Sequence, residues 1–188
     1  IYSYFFSRFF SNVDAFEPLQ GISHRLNALK SNNIKIHEIA LSENSDQLEI
    51  HIPVDNGRQL DTLASLEKRS GKIIKQNVTV RSLDSFKYTD VDLIKIDVEG
   101  HEKSVLLGAE ETIYKCRPIL IIEIEQRHIS FSILEVFNIV LSFNYDGYFL
   151  RNNKMEPLSS FDYERDQAHY ENNVKDRNYI NNFIFVSK

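Results

Sequence analysis

Glycine is scarce in this chain of 188 residues: there are only six, at Gly21, Gly57, Gly71, Gly100, Gly108 and Gly147. No two stand close enough to build a glycine-rich phosphate-binding loop. Cysteine is scarcer still. Cys116 is alone, which excludes an internal disulfide and any multi-cysteine zinc site; it suits a reducing compartment, so the cytoplasm is the expected location. Surplus positive charge is missing too. With 22 Lys+Arg against 27 Asp+Glu the net charge is -5, so no general attraction to nucleic acid or to an anionic membrane is on offer, and neither is expected as a partner. No apolar run approaches the roughly 20 residues that span a bilayer. The aromatic opening Ile1 to Phe10 is interrupted by serines and Arg8 and lacks the basic lead-in and small-residue cleavage site of a signal peptide. Internal repeats are absent.

What is present is globular: 42% apolar and 26% charged residues, in a length that suits one domain spanning 1–188. Period and punctuation order the elements. Tyr2, Phe5, Phe6, Phe9 and Phe10 predict a helix, Val13 to Glu17 a short strand closed by Pro18, and Leu19, Ile22, Leu26 and Leu29 an amphipathic helix. A strand is expected over 34–41, and an alternating strand at Leu48, Ile50 and Ile52 that Pro53 closes. Residues 54–72 read as a polar surface excursion, and the basic stretch from Lys68 to Lys75 as a solvated loop. Beyond Val78 and Val80 comes a strand over 91–97, then a helix from His101 with Val105, Ala109, Thr112 and Ile113 inward, stopped by Arg117-Pro118. Ile119 to Ile124 is apolar without alternation, as in a strand covered on both faces. A helix follows with Ile133, Leu134, Phe137, Val140 and Leu141 inward, then a turn at 144–147 leading into Tyr148-Phe149-Leu150, and finally a strand over 183–186.

Alternating helices and strands predict a parallel sheet with helices on both faces, in which ligands sit beyond the carboxyl ends of the strands. Those ends are acidic: Glu17, Asp97 and Glu123. A carboxylate after such a strand can accept hydrogen bonds from both hydroxyls of a ribose, although a solvated acid at a loop start looks the same. If the strand persists to Glu99, Asp97 and Glu99 face the same crevice, with Gly100 allowing a sharp turn. Asp97, Glu99 and His101 then read either as ligands of a divalent cation or as a polar pocket, while Glu99 and Glu102 also suit the first turn of a helix. Of Glu123 and Glu125, one should face the crevice and the other pair with Arg127. His128 has the chemistry of a general base.

Several segments resemble the FkbM family of S-adenosylmethionine-dependent methyltransferases. They are Ala15-Phe16-Glu17-Pro18, Ala40-Leu41-Ser42, Ser82 to Ser85, the long block Asp92 to Glu102, Arg117 to Glu123, Tyr145 to Tyr148 and Asn182 to Phe185. The resemblance implies an α/β fold of the Rossmann-like class I methyltransferase type, with a mostly parallel, doubly wound sheet. It implies S-adenosylmethionine as cofactor, with Phe16, Glu17 and Pro18 at the ribose, the Ala40-Leu41-Ser42 turn beside the adenine and Asp97 near the methionine end. The implied acceptor is a hydroxyl of a sugar or sugar-bearing small molecule; the expected catalytic residues are Asp97, Glu99, Glu123 and His128, with the base open among the last three and no metal ligand assigned. The family's first strand and its glycine-containing loop have no counterpart here, so the expectation is an N-terminally truncated domain short of its central strand. Three other readings are a non-catalytic methyltransferase-like binding domain, a nicotinamide-dependent oxidoreductase, and a metal-dependent hydrolase built on Asp97, Glu99 and His101.

Overall fold

The computed structural model describes residues 2–28, 31–67 and 71–188; Leu29 and Lys68-Arg69-Ser70, part of the expected helix and basic loop, lie outside the described residues. Contacts gather into two compact units, Ile1–Ser82 and Leu83–Lys188.

The first unit opens with α1 (Tyr2–Phe6), β1 (Val13–Phe16) and α2 (Gln20–Asn27). The expected strand over 34–41 is two strands, β2 (Ile34–His37) and β3 (Ala40–Leu41), because the chain bends at Glu38-Ile39 and changes sheet. β2 runs parallel to β1, with Phe16 opposite His37. β3 runs parallel to β6 (Ile73–Arg81), which pairs antiparallel along the length of β4 (Asp46–Asp55). Pro53 does not close β4. It stays in register with Ile73 while its carbonyl accepts the Leu60 N–H, a position where the missing proline N–H is tolerated. The surface excursion begins with a hairpin: β5 (Arg58–Gln59) folds back on β4 through Asn56 and Gly57, both at positive φ (48° and 77°), as a type I′ turn requires. Leu19, Ala40, Ile50, Ile52, Val78 and Val80 form this unit's core, with Ile22 and Leu48 packed on it.

The second unit is a five-stranded sheet in the order β10-β9-β11-β8-β7, made by β7 (Leu93–Ile96), β8 (Ile119–Glu123), β9 (Tyr145–Arg151), β10 (Lys154–Pro157) and β11 (Asn182–Ser187). Only β7 and β8 are parallel here. Over both units, three pairings among the described residues are parallel and five antiparallel, so a mixed arrangement replaces the expected mostly parallel sheet. The sequence period could not show this, since an apolar central strand reads alike in either setting. β8 in fact alternates in burial: Leu120 and Ile122 are fully buried, whereas Ile119 is 42% exposed. The expected helix from His101 is also divided, into α3 (Glu102–Leu107) and α4 (Glu110–Cys116), with Gly108 and Ala109 capping the two halves. α4 ends on Arg117 in the left-handed region, immediately before Pro118. α5 (Ile133–Ser142) is started by Ser132, whose hydroxyl accepts the Leu134 N–H, and it buries Val136, Phe137 and Val140. Phe143 and Asn144, the latter at φ 66°, make the turn into β9, and α6 (Tyr163–Asp166) lies in a polar stretch with no helical signal.

An aromatic cluster holds this sheet to α5. Phe183 packs edge-on to Phe137 at 4.7 Å between ring centroids and to Phe161 at 5.2 Å, and Phe149 joins both Phe161 and Phe183. Each fully buried Phe side chain contributes about 2–3 kcal/mol by removal from water. Gln167, 2% exposed, closes the layer: its amide donates to the Ile124 and Ile180 carbonyls, and its oxygen accepts the Gln126 N–H. That one side chain fixes the course of the chain just after β8.

Candidate functional site

The parallel pair β7 and β8 determines what stands at its carboxyl end. Ile96 is opposite Ile122, so one step further Asp97, just past β7, comes beside Glu123, the last residue of β8, which is paired with Asn182 of β11. Between them is Lys95, only 8% exposed at its side chain, with Nζ 3.9 Å from Asp97 Oδ2 and 3.8 Å from Glu123 Oε2. Its ammonium donates to the Ile96 carbonyl and to Asn182 Oδ1. Burial pulls Lys95 below the usual lysine range, against the two carboxylates. Burial likewise raises Asp97, with Lys95 pulling it back. Glu123 is pushed up to about 7, first by burial and then by the charge of Asp97. Its oxygens accept from Asn181 Nδ2 at 2.8 Å and Asn182 Nδ2 at 3.4 Å.

Glu125 is the partner of Arg127, one of the two roles expected for this pair of acids. Its Oε2 accepts the Tyr179 hydroxyl and Arg127 Nε, and Oε1 accepts a second guanidinium N–H at 3.2 Å. Burial raises Glu125, yet the Arg127 and Tyr179 hydrogen bonds outweigh it and hold the carboxyl at about 2. Glu123, the last residue of β8, and Glu125, two residues beyond it, thus carry opposite perturbations, the first raised by burial and the second held down by the Arg127 and Tyr179 hydrogen bonds that outweigh burial.

Glu99 is not on the strand. β7 stops at Ile96, and Glu99 takes a left-handed backbone (φ 55°) that turns its side chain away from the alternation expected with Asp97. Its Oε2 lies 2.9 Å from His128 Nδ1, and both side chains are largely enclosed. Gly100 follows at φ 104°, and a Cβ there would meet the His128 carbonyl oxygen at 2.5 Å, so only glycine fits. Glu102, 2% exposed, accepts the Gly100 N–H in the first turn of α3, and burial raises its pKa. His101 sits at the N-terminal boundary of α3 without capping it. Among the described residues no three of His, Cys, Asp and Glu could hold a metal ion, so Asp97, Glu99 and His101 are not arranged as a ligand set.

In the first unit, Glu17 follows β1. Its backbone N–H donates to the His37 carbonyl, and Oε1 accepts the Leu19 N–H across Pro18 at 2.9 Å, which orients the carboxylate. Burial raises its pKa, partly offset by the Leu19 hydrogen bond. Phe16 stacks on the His37 ring at 4.7 Å, and His37 pairs with Asp14. Ala40 and Leu41 are strand, as the reading over 34–41 expects, and the buried Ser42 that follows donates its N–H to the Arg81 carbonyl. No helix among the described residues is long and apolar enough to cross a membrane.

Sequence reasoning missed Lys95, Tyr179, Asn181, Asn182 and Gln167. Lys95 had a signal, since a lone cation inside Leu93-Ile94-Lys95-Ile96 needs a partner once the strand is buried. The others had none, because their roles depend on contacts made across more than forty residues.

A model of the methyltransferase FkbM domain matches residues 4–147. Among curated proteins none matches. A solved structure, the methyltransferase FkbM from Methylobacillus flagellatus KT, is similar at TM-score 0.54 and 21% identity, over 94% of this chain and 36% of that one. The likeness shows the fold, and this chain spans about a third of that protein's length. With the family model covering the strand-end carboxylates of both units, the chain belongs to the FkbM methyltransferase family.

Proposed function

We propose that the protein is an S-adenosylmethionine-dependent methyltransferase of Rossmann-like fold that methylates a hydroxyl on a sugar or glycosylated small molecule in the cytoplasm. The supporting observation is the placement of Asp97 and Glu123 at the carboxyl ends of adjacent parallel strands in a chain of this family, where α/β sheets bind their ligands. Each unit carries residues that suit one part of the cofactor. Glu17 is oriented by one backbone N–H through Oε1, which leaves Oε2 for the ribose hydroxyls. Phe16 and Pro18 frame that carboxylate, and Ala40, Leu41 and Ser42 suit the adenine side. Asp97, 36% exposed at its side chain, suits the cationic end of the methionine moiety. When bound, S-adenosylmethionine supplies a methyl group already activated on a sulfonium. The protein's share is to align the acceptor oxygen and to remove its proton.

Calorimetric titration of S-adenosylhomocysteine into the full natural chain tests this reading. Binding is expected, weakened about tenfold by Glu17→Ala, roughly the 1.4 kcal/mol of one good polar contact. A chain that shows no binding would sink the proposal.

A further inference from the structure

We propose that Lys95 is a positioning residue of the strand-end site: its ammonium, set beside Asp97 and Glu123, balances their charge so that Asp97 meets the cationic methionine end of the cofactor as an anion. This rests on the methyltransferase reading above.

Strand register puts the lysine there. Lys95 is opposite Ile121 in the parallel pair, and because side chains alternate, Glu123 lies on the same face of the sheet two residues on. Glu123 is in turn opposite Asn182 of β11. Hydrogen bonds from Nζ to the Ile96 carbonyl at 3.0 Å and to Asn182 Oδ1 at 3.2 Å aim the ammonium. The oxygens of Asp97 and Glu123 stand at 3.9 and 3.8 Å, beyond hydrogen-bond range, so Lys95 acts on them through its charge. With the lysine side chain 8% exposed, water and salt screen that charge little.

The surroundings make the cation necessary. Glu99 and Glu125 push against an ionised Asp97, and Glu102 of α3 also acts on Lys95. Burial raises Asp97, and among its neighbours Lys95 opposes that rise most, ahead of His128. Arg127 is committed to Glu125 by two hydrogen bonds, and His128 lies 2.9 Å from Glu99. Of the two acids beside the ammonium, Asp97 is the more open, with 36% of its side chain exposed against 22% for Glu123, which also accepts from the Asn181 and Asn182 amides. Asp97 is thus the acid left to a ligand, and Lys95 keeps it charged. A neutral side chain at position 95 would let Asp97 hold its proton to a higher pH, and a protonated Asp97 has no charge to offer an ammonium.

The test uses the full natural chain and its Lys95→Met and Lys95→Arg variants. Carbon NMR of the side-chain carboxyls needs no ligand. The Asp97 midpoint should rise by at least about one pH unit in Lys95→Met, the low end for loss of an opposite charge at this range, and stay close to wild type in Lys95→Arg. Calorimetric titration of S-adenosylhomocysteine reads the consequence. Lys95→Met should bind about tenfold more weakly at pH 5.5, the equivalent of one unit of midpoint, and at least as tightly as wild type at pH 8, where Asp97 is ionised in both. Lys95→Arg should follow the wild type at both pH values. A wild type that fails to bind S-adenosylhomocysteine overturns the methyltransferase reading and this role with it. Where the wild type binds, an Asp97 midpoint unmoved in Lys95→Met, an equal loss of affinity at both pH values, or a Lys95→Arg that behaves like Lys95→Met overturns the role of Lys95 alone. So does a Lys95→Met chain that cannot fold, for the lysine then serves the fold and not the ligand.

Discussion

Replacing Glu123 by glutamine should make the protein more stable, and only at neutral to alkaline pH. In the folded state this carboxyl titrates at about 7 instead of 4.5. The folded protein therefore holds the proton more tightly than the unfolded chain, and ionising Glu123 costs stability. The cost is absent below pH 4.5, grows through the interval and is complete above 7. The span of 7 - 4.5 = 2.5 pH units corresponds to about 3 kcal/mol at 1.36 kcal/mol per unit. The side chain is 22% exposed, and solvent screening brings the expected figure to about 2 kcal/mol. Glutamine keeps an oxygen for the 2.8 Å bond from Asn181 and removes the charge, while Lys95 retains Asp97, the Ile96 carbonyl and Asn182. Urea unfolding at pH 4.5 and pH 8.5 measures it. The variant midpoint should rise by about 1 M at pH 8.5 with unchanged slope and coincide with the wild type at pH 4.5. Equal midpoint differences at the two pH values, or a loss at pH 8.5, would refute the reasoning.

Tyr179→Phe should cost about 1–2 kcal/mol at pH 7 by removing a hydrogen bond from a buried carboxylate. Glu125 titrates at about 2, so its contribution is present above pH 4.5 and fades as pH falls toward 2; the deficit of the variant should shrink over that window in acid-unfolding curves. Gly100→Ala should lose more than about 2 kcal/mol in thermal unfolding, since the new methyl meets the His128 carbonyl and the backbone sits at φ 104°. Gln167→Ala should cost about 2–4 kcal/mol, because the Ile124 and Ile180 carbonyls and the Gln126 N–H lose their partner together.

The parts of the fold that depend on local pattern were legible. Strand β1 before Pro18 and β8 after Arg117-Pro118 lie where period and punctuation predict them, and α5 lies where period does, although Leu134 and Leu141, expected inward, are exposed. Errors fell where a local signal was overridden or went unread. Pro53 continues β4 because its neighbours do not need its N–H. The Asn56-Gly57 and Asn152-Asn153 turns, all four residues at positive φ, were hairpin signals passed over as polar loop. Strand direction was legible only in part: the helix-connected pairs β1–β2 and β7–β8 are parallel, as the alternation of helix and strand predicts, while the antiparallel pairing of β9, β10 and β11 left no mark in the side-chain pattern. In the site, Asp97 and Glu123 were found from strand ends alone. Glu99 was found but placed on the wrong element, since nothing local announced its left-handed backbone. Tyr179, Asn181 and Gln167 became visible only once the chain was folded.

The partners of the two strand-end acids come from far along the chain: Tyr179 follows Glu125 by 54 residues, and Asn181 follows Glu123 by 58. During synthesis from the N-terminus, at roughly 5–20 residues per second, Glu123 and Glu125 therefore wait roughly 3–12 s for the groups that hold them. For that interval β8 also lacks β11, and one of its edges is unpaired. The nascent chain thus passes through a stage with an apolar strand edge open and its carboxylates still solvated, when capture by a chaperone or by a neighbouring chain competes with completion of the sheet.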